Sequence, residues 1–153
     1  MTEPAFDVAV AHRYFAIELN NAAWDLVEAE HRSSDETDRM VHAAHAALYH
    51  WSQIGSLLNR QRGLCLISTT CAAAQRADEA QRYAAECLAV SRQDPDGQTP
   101  FDRAIAYGCA ARAAGLNNDP NAARQQYATA LEIVAGFDDA RDAELFSRLY
   151  PPP

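Results

Sequence analysis

The sequence predicts an all-α fold, antiparallel helical hairpins stacked as a short array of six to seven helices, and two observations carry that prediction. Alanine occurs 32 times and valine plus isoleucine 11 times, so the strongest helix former far outnumbers the aliphatic β-branched residues that strands favour. Apolar residues then recur at steps of three and four through six successive stretches, the period of a helix with one buried face. At 153 residues the chain is the size of one domain, long enough to bury a core without disulfide or metal support. Residues 1–150 are expected to form that domain and 151–153 a frayed proline tail.

The first helix is expected from about Phe6 to Glu30, with Phe15, Leu19, Ala22 and Leu26 on one stripe. Ser33-Ser34-Asp35-Glu36 has the spacing of a capping box, the Ser33 hydroxyl accepting from the Glu36 amide while the Glu36 side chain returns to the Ser33 amide. A second helix starts there and ends near Gly55. Ser56 caps a third helix that carries Leu64, Ile67 and Cys71 inward and stops near Arg76; Asp78 or Ala77 opens a fourth, ending near Ser91. The stretch 92–98 holds a proline and a glycine among polar residues and reads as a loop. Thr99-Pro100 and Asp119-Pro120 each place a capping oxygen before a proline at the first helical position, which opens a fifth helix to about Leu116 and a sixth to about Ala135. Asn117-Asn118 suits a left-handed closure between them. Asp138 is expected to cap a short seventh helix before Tyr150.

Charge and composition exclude several kinds of chemistry. The net charge is −8 and all 13 basic residues are arginine. A chain without lysine builds neither a Schiff base nor a P-loop. The acidic balance repels phosphate backbones and anionic headgroups, so neither nucleic acid nor membrane is expected as a partner. Residues 1–7 lack a basic region followed by an apolar run, and no window approaches about 18 uncharged apolar residues; a cytoplasmic protein is expected. Cys65, Cys71, Cys87 and Cys109 show no C-x-x-C pair and no zinc-ribbon spacing, so they read as small core residues.

An internal repeat links the third and fourth helices to the fifth and sixth. Leu64, Ile67, Ser68 and Cys71 followed by Ala80, Ala84 and Cys87 have the same spacing as Tyr107, Ala110, Ala111 and Ala114 followed by Ala123, Tyr127 and Ala130. This pattern resembles the tetratricopeptide repeat, in which small residues let two antiparallel helices approach and the next hairpin stacks on them. The stretch 119–131 matches best. Ala80 and Ala123 lie 43 residues apart, against the family's usual 34, which predicts irregular stacking. The resemblance spans about 57–135 and touches the second helix only at Ala44, Leu48 and Trp51. The N-terminal hairpin, with His42-Ala43-Ala44-His45 and Tyr49-His50-Trp51, is also similar to a group of uncharacterised bacterial helical proteins, which implies the same fold and no particular activity.

One constellation carries chemistry. On the first helix Tyr14, Glu18, Asn21, Asp25 and Glu28 form a polar stripe; on the second, Asp38, His42, His45 and Tyr49 form another. Facing each other, these stripes would set carboxylates against imidazoles, the donors of a ligand site, a metal site or a proton relay. No HExxH, paired Glu-x-x-His or Gly-x-Ser-x-Gly motif accompanies them, so no metal and no cofactor is favoured. Trp24 and Trp51 are expected to fill helix seams, and His12, His31 and His50, with no evident partner in sequence, to lie on the surface. The tetratricopeptide resemblance implies a non-catalytic interaction module holding a protein or peptide, with homodimerisation through an end helix as a further expectation. The alternative is a small-ligand or metal-binding helical protein, a hydrolase included, using Glu18, Asn21, Asp25, Glu28, His42, His45 and Tyr49.

Overall fold

The computed structural model describes residues 4–153. Seven helices follow one another: α1 (Val8–Glu28), α2 (Ser34–Ile54), α3 (Leu57–Ala73), α4 (Ala77–Gln93), α5 (Pro100–Leu116), α6 (Pro120–Val134) and α7 (Ala140–Leu149). The described residues contain no strand. Helices α1 and α2, α3 and α4, and α5 and α6 pair as consecutive hairpins; α2 also packs on α3 and α4 on α5. The first helices of successive hairpins touch in turn, α1 on α3 and α3 on α5, and α7 closes the row against α5. This is the stacked array of antiparallel hairpins that the alanine content and periodicity predict.

Local chemistry sets most boundaries. Ser33 and Glu36 form the expected capping box. Two more arise where only a cap is expected, Ser56 with Asn59 and Thr99 with Asp102. Asp119 caps α6 through the Ala122 amide, and Asn118 is left-handed with φ 59°. Helix α3 ends earlier than expected because Gln75 turns left-handed at φ 60° and the Arg76 amide bonds back to the Cys71 carbonyl at 2.9 Å. Helix α4 therefore starts at Ala77, with Arg76 in its capping position and no side-chain cap bond. Asp139, not Asp138, caps α7.

The inward face of α1 differs from the expected stripe. Its buried residues are Ala16 and Ala23, flanked by half-buried Leu19 and Leu26, whereas Phe15 and Ala22 are exposed. The two alanines let α2 approach, which rotates α1 away from the Phe15 side. Across the repeat, Ala84 and Tyr127 are both buried, as are Ala80 and Ala123, and Cys87 and Ala130. At the same interval Val41 and Ala44 of α2 are buried too, so the crowded positions recur in all three hairpins.

Polar contacts fix the hairpins to one another. The Ser68 hydroxyl donates to the Ala80 carbonyl at 2.8 Å within one hairpin, and the Asn117 amide donates to the Ala77 carbonyl at 2.8 Å between two. Asp102 is buried and accepts from Arg62 Nε at 2.7 Å and Nη2 at 3.0 Å, as well as from the Thr99 amide and hydroxyl. Burial alone raises its pKa, but the Arg62 and Thr99 hydrogen bonds win and hold the carboxyl below its ordinary value. A depressed folded-state value contributes stability that is present above the unfolded pKa and is lost as pH falls through the folded one. Stability attributable to Asp102 is therefore expected to decline below about pH 4. In urea titrations at neutral pH, Asp102→Ala is expected to cost about 2–4 kcal/mol, because a cap and a charge-assisted bond both vanish.

Helix α7 seals the C-terminal end by laying Phe146 and Tyr150 over α5. A methyl group at Gly108 would sit 2.8 Å from Tyr150 Cγ and 3.0 Å from Phe146 Cε2, while one at Gly115 would meet nothing closer than 3.9 Å. Both rings are fully buried. Gly108→Ala is expected to destabilise the fold by about 1–2 kcal/mol net, overpacking outweighing the gain in helix propensity. Gly115→Ala is expected to be neutral or stabilising by up to about 1 kcal/mol. Chemical denaturation of the two variants checks the contrast.

Candidate functional site

The two polar stripes do not meet. Glu18, Asn21, Asp25 and Glu28 are exposed on α1, His42 and Tyr49 are exposed on α2, and no hydrogen bond or ion pair joins the carboxylates to His42 or His45 among the described residues. The carboxylates turn elsewhere: Glu28 pairs with Arg148 of α7 at 3.1 Å and Asp38 with Arg76 at 3.0 Å. The physical reason is the alanine seam. With Ala16 and Ala23 facing α2, the stripe of Glu18, Asn21 and Asp25 is carried to the outer surface.

His45 faces the next hairpin instead. It is half-buried and sets its ring edge-on to Tyr83 of α4, centroids 5.3 Å apart and planes at 78°. A ring nitrogen of His45, the Cys71 sulfur and a Glu79 carboxylate oxygen all lie within 4.8 Å of one another. Burial lowers the His45 pKa, and Glu79 only partly opposes it. The same burial, with the Glu79 charge second, pushes the Cys71 thiol up to about 11. Sequence reasoning identified His45 but assigned it the wrong neighbours. The missing signal was Glu79, an acid at the third helical position with no Ser or Thr three residues before it, and so no capping box to occupy its carboxylate.

A second concentration of side chains lies at the N-terminal half of α1 and the C-terminal half of α2. His12 and His50, expected to lack partners, hydrogen-bond through their Nδ1 atoms at 2.8 Å. Phe15 lies 5.5 Å from His50, Tyr14 packs edge-on to Phe15 at 5.4 Å, and Tyr49 lies 5.6 Å from His50. Around these rings Phe6, Val8, Val10 and Ile17 are exposed, with Phe6 66% and Val10 63% accessible. Both tryptophans are half-buried; Trp24 packs against the core as expected, and Trp51 borders a surface groove with Tyr83 and Arg60.

Two further features complete the inventory. The sulfurs of Cys65, Cys87 and Cys109, from three different helices, lie within 4.8 Å of one another in the core, and all four cysteines are free and buried as expected. Hydrogen bonding to Cys65 and then to Cys87, with burial added, pushes the Cys109 thiol above its ordinary value. A groove of about 640 Å³ runs across the ends of α1, α3, α5 and α7, bordered by Glu28, Arg112, Arg148 and the exposed prolines 151–153. Burial lowers the Arg112 pKa.

Fold and sites together define an all-helical hairpin array with an aromatic patch at one end and a mixed imidazole, thiol and carboxylate cluster at a hairpin junction. No protein-family model, curated protein or solved structure matches the chain significantly. No helix among the described residues is long and apolar enough to cross a membrane.

The environment of His45 reverses the titration that facing stripes would produce. Carboxylates against the imidazole would raise its pKa, whereas burial lowers it. The unfolded chain then takes up the proton first as pH falls, so stability is expected to decline below about pH 6.5. By NMR the His45 midpoint is expected below that of an exposed histidine, and His45→Gln is expected to flatten the stability profile in the same range. A midpoint above the ordinary histidine value would show that the Glu79 charge outweighs burial.

Proposed function

We propose that this chain is a non-catalytic, tetratricopeptide-like interaction module that binds through the exposed aromatic patch on its N-terminal hairpin. The observation that carries this reading is the row of exposed Val10, Tyr14 and Ile17 on α1, joined by Phe6 just before the helix and by Phe15 and Tyr49. In a stacked array the outer face of an end helix lacks a neighbour and is ordinarily polar. Here the N-terminal half of that face is apolar and aromatic, the composition of a surface that a partner covers, while Glu18, Asn21 and Asp25 keep the other half polar. The partner class that fits is a polypeptide presenting an apolar helix face, and a second copy of the chain is the simplest case, because two α1 faces meeting about a two-fold axis cover each other.

The alternative ligand or metal reading loses most of its residues, since Glu18, Asp25 and Glu28 stand apart from His42 and His45; of that set only His45 enters a cluster of donors.

Sedimentation equilibrium across micromolar to sub-millimolar concentration tests the self-association arm. The wild-type chain is expected to dimerise, and Val10→Glu with Ile17→Glu to dissociate it while leaving the helical circular-dichroism signal and melting midpoint unchanged, because both positions are exposed. A monomeric wild type that retains the same affinity-purified partners as the double variant would overturn the assignment of this face.

A further inference from the structure

We propose that His45, Cys71 and Glu79 form a binding site for a zinc-class divalent cation at the junction of α2, α3 and α4. Each residue offers one donor of the kinds zinc accepts, an imidazole nitrogen, a thiolate sulfur and a carboxylate oxygen. The three donor atoms already lie within 4.8 Å of one another, and tetrahedral coordination at ordinary bond lengths needs donor separations of roughly 3.3–3.8 Å. An adjustment of about an ångström in the Glu79 and His45 side chains closes that gap, and water completes the fourth position.

Three features make the arrangement more than proximity. The bond from the Arg76 amide to the Cys71 carbonyl ties the end of α3 to the start of α4, so the backbone fixes Cys71 and Glu79 relative to each other. That same bond occupies the amide to which Glu79 would return in a capping box. In α2, α3 and α5 the third-position side chains Glu36, Asn59 and Asp102 are spent on capping, whereas in α4 the equivalent carboxylate makes no capping bond. Arg76 is shared between two acids, 3.0 Å from Asp38 and 3.9 Å from Glu79, so its pairing with Glu79 is the longer and weaker of the two. The His45 ring packs edge-on against Tyr83 of α4, which limits the space in which the imidazole turns.

Charge favours this site over the other sulfur cluster. A divalent ion with one thiolate, one carboxylate and one neutral imidazole is uncharged overall. Three thiolates from Cys65, Cys87 and Cys109 around the same ion would leave a net negative charge fully buried, at a large desolvation cost. The site is also reachable, with the Glu79 side chain 48% accessible. On binding, the Cys71 Sγ–H bond breaks and its proton passes to buffer, bonds from the metal to sulfur, imidazole nitrogen and carboxylate oxygen form, and all but one of the ion's waters leave; no oxidation state changes.

Cobalt(II) is the probe, added to reduced, untagged, chelator-stripped protein. One equivalent is expected to bind, with a near-ultraviolet thiolate-to-cobalt band and the visible bands of a tetrahedral ion, and zinc is expected to displace it and raise the melting midpoint. Cys71→Ala is expected to fold, because Ala114 fills the corresponding position in the next hairpin, and to lose the thiolate band and the zinc-dependent rise in melting. His45→Gln and Glu79→Gln are expected to weaken binding more than about tenfold, and Cys109→Ala to leave it unchanged. A thiolate band that survives Cys71→Ala or disappears in Cys109→Ala, or the absence of any band in the wild type, overturns the proposal.

Discussion

The close approach of helix backbones through alanine is the constraint on which the rest of this structure depends. Ala16 and Ala23 of α1, Ala44 and Ala47 of α2, Ala80 and Ala84 of α4, Ala104 and Ala111 of α5, and Ala123 and Ala130 of α6 are all buried to 1% or less. A methyl group at each crossing brings the axes close without interlocking large side chains. The cost is a core with little apolar volume per residue, because one methyl contributes about 0.8 kcal/mol where a leucine contributes two to three times as much. The two largest fully buried side chains, Phe146 and Tyr150, fill the space beside Gly108, and Met40 of α2 with Leu64, Leu66 and Ile67 of α3 supply most of the rest.

Polar contacts therefore carry specificity that packing alone cannot. Flat alanine faces slide with little penalty, whereas a hydrogen bond between a side chain and one particular carbonyl does not. Ser68 on the Ala80 carbonyl and Asn117 on the Ala77 carbonyl set the registers within and between hairpins. Gln98, from the loop before α5, bonds to Gln61 of α3 and Ser91 of α4, joining three elements at one point. Tyr150 donates or accepts with Cys65 at 3.2 Å and Thr69 at 2.9 Å, while its carbonyl accepts from Tyr127. Each of these groups is wholly or partly withdrawn from water, so leaving one unmade is expensive, and the alternatives to the observed register are disfavoured.

Local features were legible in the sequence to the extent that their causes are local. Ser33 with Glu36, Thr99 before Pro100, and Asp119 before Pro120 define their helix starts through contacts three residues away, and the structure places them as expected. The rotation of α1 was not legible, since Phe15 and Leu19 fit an inward stripe as well as Ala16 and Ala23 do by hydropathy. What decides between them is how near α2 comes, a property of the pair. The same rotation explains the stripes of Glu18, Asn21, Asp25 and of His42, Tyr49, which are polar faces as read but exposed separately. His45 was visible as chemistry, yet its partners Cys71 and Glu79 sit one hairpin away, and their proximity follows from the Gln75 turn, where no glycine marks a left-handed residue.

The two ends of the array are unequal, and the inequality gives the molecule a direction. At the C-terminal end α7 supplies what the missing next hairpin would, burying Phe146 and Tyr150 against α5 and presenting Arg141, Asp142 and Glu144 outward. At the N-terminal end nothing among the described residues performs that service for α1, and Val10, Tyr14 and Ile17 remain exposed. The stabilisation available from covering them scales with the apolar area removed from water. An array sealed at one end and apolar at the other gains by association only at the open end, which favours a closed pair over an extending chain: the surface that would continue a filament is the one α7 already occupies.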